Sequence, residues 1–294
     1  MLSKKAIRMR QVLKQALASP NLLCIMEAHD GLSTRLAEEA GFDAVWASGL
    51  AISTAMALRD CNEATWSQLL DHIEFMVDAV NVPILVDGDS GHGNFNNVRR
   101  FVQKLYERGI AGVCLEDKVF PKLNSFANGQ QELLDPFVFA GFIKAAKDRL
   151  ADDNFIIIAR TEALIAGAGL EDALHRANIY AEAGADAILI HSKSKSPREV
   201  MDFASSWSGK TPLVAVPTTY YDVNPQDLQR VGISNLIWAN HAIRTVITSL
   251  RGTYASIKQA GNISFIENNI ASVNDIFELL DYQRLYQDER KYSS

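Results

Sequence analysis

Short apolar runs alternate along the chain with segments in which apolar residues recur every three to four positions. The runs are continuous and rich in β-branched residues, which is typical of buried strands in a parallel sheet covered by helices. We predict strands at Leu22–Glu27, Phe42–Ala47, Val82–Val86, Gly112–Leu115, Phe155–Ala159, Ala187–Ile190, Leu213–Val216 and Asn235–Trp238. The intervening periodicity predicts helices that include Ser33–Glu39, Glu63–Ala79, Asn96–Glu107, Glu171–Glu182 and Pro225–Arg230.

A glycine recurs between the predicted helices and the strands that follow them. It occurs in segments 39–44, 107–112, 182–187 and 230–234, each time just before the next apolar run. Glycine readily adopts the left-handed conformation that ends many helices. Eight strand–helix units therefore predict an α/β fold, a (β/α)8 barrel of the TIM type, with a doubly wound open sheet as the alternative.

Two further helices are predicted beyond the eighth strand, at 243–259 and 273–291. The second has little barrel surface left to cover, so we expect it to pack on a neighbouring subunit. The predicted organisation is a single barrel domain over residues 1–294, whose C-terminal helices, within 243–294, pack on a partner subunit.

Composition narrows the class of protein. With 294 residues, 48% of them hydrophobic, the chain can bury a large core, and its net charge of −6 argues against a nucleic-acid-binding surface. The N-terminal segment lacks the apolar stretch of a secretory signal, and no apolar run approaches 18 residues, so we expect no membrane span. Three scattered cysteines fit a reducing compartment, which predicts a cytoplasmic protein.

Polar residues follow the predicted strands at the end where barrel enzymes hold their reactive groups. Asp87 and Asp89 follow the third strand and Glu116 follows the fourth. Three carboxylates so close together need a counter-charge, and Mg²⁺ typically takes one or two of them directly and keeps several waters. The alternative is that the Asp-x-Asp pair only begins a turn and caps a helix.

The fifth and sixth strands end in groups that suit an anion. Arg160 could bind a planar carboxylate or a phosphoryl group, or it could form a structural salt bridge to Glu162 or Glu116. His191 could bond to a phosphoryl oxygen or order a neighbouring side chain.

The second strand leads into a polar turn and loop. Ser48, Gly49 and Leu50 offer a hydroxyl and backbone N–H groups that could cradle a carboxylate. Asp60 lies on the loop after this turn, and taken alone it could be a helix cap.

The segment from Glu116 to Pro136 shows no helical or strand period. Loops of about 20 residues are uncommon in compact domains and are usually lids or disordered linkers. This segment carries Lys122, Asn124 and Ser125, which suit an anionic substrate. We therefore predict an active-site lid.

These motifs together resemble the isocitrate lyase/phosphoenolpyruvate mutase superfamily over nearly the whole chain, and its mutase branch in particular. The similarity lies in segments 46–50, 59–63, 87–94, 116–125, 159–163 and 191–192, and the pattern E-D-K-x5-N-S within 116–125 is specific to that branch. The resemblance implies a barrel whose eighth helix is swapped between partners, a homotetramer built as a dimer of dimers, and Mg²⁺ as cofactor. It also implies reversible conversion of phosphoenolpyruvate and 3-phosphonopyruvate, the step that forms the C–P bond of phosphonates.

The resemblance further implies roles for individual residues. Asp87 would bind Mg²⁺ directly, with Asp89, Glu116 and Asp60 nearby or acting through water. Asp60 would also be the nucleophile, or else a purely electrostatic group, and Lys122 would close over the site with the lid.

The substrate would be held by a second group of residues. Its carboxylate would lie against Ser48, Gly49 and Leu50, and its carbon skeleton against Trp46. The groups implied to hold the phosphoryl group are Arg160, His191, Asn124 and Ser125.

Two positions depart from the pattern of the superfamily. Ala47 stands where glycine is expected, and alanine would strain the backbone if φ is positive there. His92 replaces a more usual aromatic residue, and this change could adjust the contacts of the lid. Neither change removes an implied ligand.

Three other functions compete with the mutase. Carbon–carbon lyases of the superfamily use K-K-C-G-H in the loop, where this chain has Pro121-Lys-Leu-Asn-Ser125. Phosphonopyruvate hydrolase shares the metal acids, Lys122 and Arg160, but typically has threonine at the position of Asn124, so Asn124 favours the mutase. A non-catalytic binding barrel would have lost its metal acids, and all three are present.

Overall fold

Eight parallel strands close into a barrel in the computed structural model, which describes residues 3–150 and 152–293. Each strand pairs with the next in chain order, and the last pairs with the first. This confirms the predicted barrel and excludes the open sheet, and the predicted strand bounds agree to within two residues. The strands are β1 (Leu23–Ala28), β2 (Ala44–Ala47), β3 (Ile84–Asp87), β4 (Gly112–Glu116), β5 (Ile156–Thr161), β6 (Ala187–Ile190), β7 (Leu213–Ala215) and β8 (Asn235–Trp238).

Helices follow the strands, and the structure has several helices besides those named from the periodicity. Those of the barrel are α1 (Lys4–Ala18), α2 (Gly31–Glu39), α3 (Gly49–Ala55), α4 (Trp66–Ala79), α5 (Phe95–Glu107), α6 (Pro136–Arg149), α7 (Ala163–Ala166), α8 (Gly169–Glu182), α9 (Arg198–Ser206) and α10 (Pro225–Arg230). The helices α1, α3, α6, α7 and α9 were not among those predicted. The glycines expected to end helices are confirmed, because Gly41, Gly109, Gly184 and Gly232 all have positive φ.

The core has an inner and an outer layer because successive residues of a strand point to opposite faces. Ile156 and Ile158 of β5 lie inside the barrel, whereas Ile157 packs outward among the helices. Leu13 and Leu17 of α1 join the inner layer, so α1 covers the N-terminal end of the barrel. Only the opposite end is left for a site.

The described residues from 244 to 293 belong to a second compact unit. Helix α11 (His241–Ala260) agrees with the prediction, but the single helix predicted over 273–291 is wrong. It is divided into α12 (Val273–Leu279) and α13 (Tyr282–Tyr292), with a 3-10 turn at Glu267–Asn269 before them. Asp281 has a φ of 54° at the break and its side chain accepts the Arg284 N–H, which starts α13 anew. Packing of this unit on a partner subunit stays a prediction.

Among the described residues, no helix is both long and apolar enough to cross a membrane.

Candidate active site

The carboxyl ends of the strands and the loops after them surround a polar cavity. It is lined by Trp46, Ser48, Leu50, Asp60, Asp87, Lys122, Asn124, Ser125, Phe126, Arg160, His191, Val216, Thr218, Ala239 and Asn240. The predicted site residues missing from this lining are Gly49, Asp89 and Glu116. Each of these three contacts a lining residue, namely Asp87, Lys122 and Arg160 respectively. The structure therefore gathers every predicted site residue at one place.

The three predicted metal acids are buried beside one another. The backbone N–H of Asp89 donates to Asp87 Oδ1 at 3.4 Å, and that of Glu116 donates to the Asp89 carbonyl at 2.8 Å. Burial and the charge of Asp89 raise the pKa of Asp87 to about 7. Burial, with the charges of Asp60 and Glu116 acting against that of Lys122, raises the pKa of Asp89 to about 6. The positive charge near Asp87 and Asp89 is thus too small to offset their burial and the repulsion from the other acids.

This acidic group fits a hydrated divalent cation. Glu116 Oε1 is buried and has no hydrogen-bond partner in the described part of the chain. No group of three His, Cys, Asp or Glu side chains in residues 3–150 and 152–293 is arranged to hold a metal directly. Mg²⁺ suits such a site, because it commonly takes one or two carboxylates and fills its other positions with water.

The turn after β3 positions Asp87 and Asp89 and does not begin a helix. A Cβ at Gly88 would lie 2.5 Å from the Val113 side chain, so only glycine fits this close approach to β4. The cap of α5 is Asn94, whose side chain accepts the Asn96 N–H. The alternative in which the Asp-x-Asp pair serves as a helix cap is therefore wrong.

Asp60, Lys122 and Asn124 join the α3–α4 loop to the predicted lid. Lys122 Nζ lies 2.6 Å from Asp60 Oδ1 and 2.9 Å from Asp89 Oδ1, and Asn124 Nδ2 donates to Asp60 Oδ2 at 2.6 Å. Burial opposes ionisation of Asp60, but the Lys122 ammonium outweighs it and lowers the pKa of this carboxyl. Helix α4 is capped by Thr65, so Asp60 is not a helix cap. It is an ionised group facing the cavity.

The predicted irregular segment is confirmed as a loop. Between β4 and α6, the described residues contain no helix or named strand, and Lys118 and Leu133 form an isolated bridge. Lys122 and Asn124 reach from this loop to Asp60, so it covers the cavity. Movement of the loop as a lid stays a prediction.

Arg160 lies at the end of β5, directly beside Glu116 of β4. Its Nε donates to Glu162 Oε1 at 2.5 Å and its Nη2 to Ser125 Oγ at 3.0 Å. Nη2 also lies 3.4 Å from Glu116 Oε2 and 2.7 Å from His191 Nδ1. The structural salt bridges considered as an alternative are both present. They do not exclude substrate binding, since the guanidinium has five N–H donors and also lines the cavity.

His191 is a neutral, oriented imidazole. Its Nδ1 lies 2.7 Å from Glu162 Oε1, and the Phe126 ring packs edge-on against it at 5.5 Å. Burial and the neighbouring Arg160 charge lower the pKa of His191 despite Glu162. His191 thus orders its neighbour Glu162, as one of the two interpretations predicted, and its own ring also faces the cavity.

The polar turn after β2 is the N-terminus of α3. Ser48 caps this helix through its hydroxyl, which accepts the Ala51 N–H at 3.3 Å, and the Gly49 N–H donates to Asp87 Oδ2 at 3.3 Å. Ala47 lies within β2 and has no positive φ, so the strain expected from alanine there is absent. Trp46 is buried at the end of the same strand.

His92, the second departure, lies beside the acids with a φ of 60°. Its ring packs edge-on against Phe101 of α5 at 4.8 Å. Burial, followed by the charge of Lys122, lowers the pKa of His92 to about 4. It is therefore a neutral packing residue near the lid lysine.

Several residues of the site were not predicted. Asn62 donates from Nδ2 to Asp89 Oδ2 at 2.8 Å and accepts the Lys122 N–H at 2.7 Å, so it joins a metal acid to the lid backbone. Asp117 accepts the Glu162 N–H at 2.8 Å and the Tyr180 hydroxyl at 2.7 Å, which fixes the chain next to Arg160. Sequence signals existed for both, because Asp117 directly follows Glu116 and Asn62 lies two residues after Asp60, each within a motif.

Comparison with known proteins identifies the relatives of this chain. Residues 13–258 match the family model described as phosphoenolpyruvate phosphomutase. A phosphoenolpyruvate phosphomutase of Tetrahymena pyriformis is 47% identical over 281 residues, which cover 95% of this chain and 94% of that protein. The crystal structure of phosphoenolpyruvate phosphomutase from Streptomyces platensis subsp. rosaceus superimposes with a TM-score of 0.95 at 42% identity, over 97% of this chain and 99% of that one. A phosphonopyruvate hydrolase in complex with oxalate and Mg++ gives a TM-score of 0.92 at 39% identity, again over 97% and 99%.

Proposed function

The chain belongs to the phosphoenolpyruvate phosphomutase family and is an isomerase, and we propose that its cavity interconverts phosphoenolpyruvate and 3-phosphonopyruvate with Mg²⁺ as cofactor. The observation that carries this proposal is the division of the cavity into two halves. Buried acids form one half, and Arg160 and His191 form the adjoining half, where Arg160 contacts Glu116. Asn124 of the loop donates to Asp60 and also lines the cavity.

Asp87 would hold Mg²⁺ directly, with Asp89 and Glu116 nearby or acting through water. The unpaired Glu116 Oε1 and the raised pKa values of both aspartates support this assignment. When bound, the cation would stabilise the negative charge of the enolate. The Mg++ in the related phosphonopyruvate hydrolase structure supports the same choice of ion.

The protein groups would hold the two ends of the substrate apart. The turn of Ser48, Gly49 and Leu50 would hold the carboxylate, and Trp46 would pack on the carbon skeleton. Arg160, His191 and Asn124 would hold the phosphoryl group while its bond to oxygen breaks and its bond to carbon forms, and Ser125 would position Arg160. Such transfer passes through a loose transition state, so positioning and charge stabilisation do most of the catalysis.

Asp60 and Lys122 would act between these two halves. Asp60 is ionised and paired with Lys122 and Asn124, so it can serve as a transient phosphoryl acceptor or as an electrostatic group. Covering of the cavity by the loop would exclude water, which would otherwise convert the substrate into pyruvate and phosphate.

Replacement of Asn124 by threonine is expected to raise hydrolysis relative to isomerisation by about tenfold, the effect of losing one hydrogen bond to a charged group. Threonine is shorter and lacks the amide that donates to Asp60, so the phosphoryl group would be held less firmly against water. The measurement is the ratio of phosphoenolpyruvate to pyruvate formed from 3-phosphonopyruvate. Asn178→Thr on the exposed face of α8 is the control. An unchanged ratio in Asn124→Thr would contradict the role of Asn124.

Binding of Mg²⁺ is expected to be about tenfold tighter at pH 8 than at pH 6. With a pKa of about 7, Asp87 is about nine-tenths ionised at pH 8 and about one-tenth ionised at pH 6, and the ion binds the ionised form. The same raised pKa lies above the unfolded value, so without metal this group lowers stability as pH rises from about 4 to 7. Calorimetric titration at both pH values tests this, and equal affinities would refute it.

Two coupled assays test the proposed reaction. Lactate dehydrogenase alone reports pyruvate, and its combination with pyruvate kinase and ADP also reports phosphoenolpyruvate. We expect a Mg²⁺-dependent signal from 3-phosphonopyruvate that requires pyruvate kinase. A signal of the same size without pyruvate kinase would instead identify a phosphonopyruvate hydrolase.

We also propose that the enzyme works in the cytoplasm as a homotetramer, a dimer of dimers with α11 and the helices after it exchanged between partners. The three free cysteines, consistent with a reducing compartment, support the location. Light scattering of the purified protein tests the assembly, and a monomer mass would overturn it.

A further inference from the structure

Lys118 is a buried lysine at the start of the loop that the proposed reaction does not use. It is almost fully buried, and it does not line the cavity. Its Nζ donates to the Leu123 carbonyl at 2.8 Å and to Ser125 Oγ at 2.7 Å, and lies 3.1 Å from Glu162 Oε2. Lysine is rarely buried unless it is paired, so this ammonium has a specific structural partner set.

The hydroxyl of Ser125 has no capacity left for another partner in this arrangement. A serine hydroxyl has one donor and two acceptor positions. Ser125 donates to Glu162 Oε2 at 2.6 Å and accepts from Lys118 and from Arg160. Its influence on the substrate therefore runs through Arg160 rather than through a direct bond.

The two carboxylate oxygens of Glu162 have different partners. Oε1 faces Arg160 Nε and His191 Nδ1, and Oε2 faces Ser125 and Lys118. With Lys118 on Oε2, the guanidinium is held through Oε1 and its orientation toward the cavity is fixed.

The same ammonium also fixes the loop on both sides of Asn124. Leu123 and Ser125 are the residues before and after Asn124, and both bond to Lys118. The ammonium of the other buried lysine of the loop, Lys122, pairs instead with Asp60 and with the metal acid Asp89. The two lysines thus serve different halves of the cavity.

We propose that Lys118 is a positioning residue that joins the loop to the phosphoryl-binding groups, fixing Asn124 on one side and, through Glu162, Arg160 and His191 on the other. The inference rests on the proposed mutase function. It makes Lys118 a determinant of whether the phosphoryl group goes to carbon or to water.

Lys118→Met tests this, because methionine keeps much of the side-chain volume without the ammonium. We expect kcat to fall about 10- to 100-fold, the scale of a lost charged hydrogen bond, and the share of 3-phosphonopyruvate that is hydrolysed to rise about tenfold. The matched control is Lys147→Met, which removes an ion pair with Asp186 at 2.7 Å in the outer helical layer. It should lower the melting temperature without changing the product ratio.

A purely structural Lys118 would behave like this control, so a lower melting temperature with wild-type kcat and product ratio would overturn the proposal. If Lys118→Met does not fold, Lys118→Gln keeps an amide that can donate hydrogen bonds but removes the charge, and it is judged by the same two quantities.

A second readout separates this proposal from the function on which it rests. If the wild-type protein yields only pyruvate and phosphate, the mutase proposal fails, and Lys118 is judged by chymotrypsin cleavage after Phe126 of the loop with Mg²⁺ and oxalate present. Cleavage at least several-fold faster in Lys118→Met than in Lys147→Met supports the joining role, and equal rates overturn it.

Discussion

Replacing Asp87 with alanine is expected to lower kcat/KM by about 10³-fold or more while the barrel stays folded, the scale seen when a group that stabilises transition-state charge is removed. Asp87 would be the direct ligand of Mg²⁺, and it lies at the end of β3, where its carboxylate accepts the N–H groups of Gly49 and Asp89. The melting temperature in metal-free buffer at pH 8 should be unchanged or higher, because burial raises the pKa of Asp87 to about 7 and its ionised form is disfavoured there.

The control for Asp87→Ala is Asp152→Ala at the other end of the barrel, where Asp152 pairs with Arg10. Asp152→Ala should lower the melting temperature and keep the activity, the reverse of the effect at Asp87. Added Mg²⁺ should raise the melting temperature of the wild type but not that of Asp87→Ala. Retained activity in Asp87→Ala would contradict the assignment of Asp87 as the metal ligand.

Arg160→Lys is expected to lower kcat/KM by about 100-fold, although the positive charge is kept. The planar guanidinium reaches Glu162, Ser125 and His191 at once, and a single ammonium cannot reproduce that fork. The loss should be mainly in kcat, because the arrangement positions the phosphoryl group during transfer. Steady-state kinetics with 3-phosphonopyruvate measure both parameters.

Arg10→Lys provides the matched control for Arg160→Lys. Arg10 is fully buried, whereas Arg160 is slightly exposed in the cavity. The Arg10 guanidinium donates to the Ile110 and Tyr106 carbonyls and to Asp152 at the other end of the barrel. It should lower stability and leave kcat near the wild-type value. Equal kcat losses in the two variants would mean that Arg160 acts only through stability.

The barrel and the position of the site were predictable because one physical cause determines both. Strands buried on two faces must be continuously apolar, so their ends are visible where polar residues such as Asp87, Glu116 and Arg160 begin. Helices with a less regular apolar period, such as α6, were not predicted. The break at Asp281 was missed because its left-handed backbone interrupts a segment whose periodicity continues across it.

The contacts within the loop were beyond sequence reasoning. Lys118 pairs with Glu162, and Asn62 bonds to Asp89 and to the Lys122 backbone. These contacts join residues from different strand ends through an irregular stretch of chain. The regular spacing of apolar residues that predicts helices and strands gives no information about such contacts. The sequence could identify which residues are at the site, but not which of the two lysines faces the metal acids.

The measurement that tests the central claim most directly is phosphorus NMR of 3-phosphonopyruvate incubated with the protein and Mg²⁺. The account predicts that the phosphonate signal gives way to that of phosphoenolpyruvate, with little free phosphate, and that chelation of Mg²⁺ stops the change. Free phosphate accompanied by an equal amount of pyruvate would contradict it and make the protein a hydrolase.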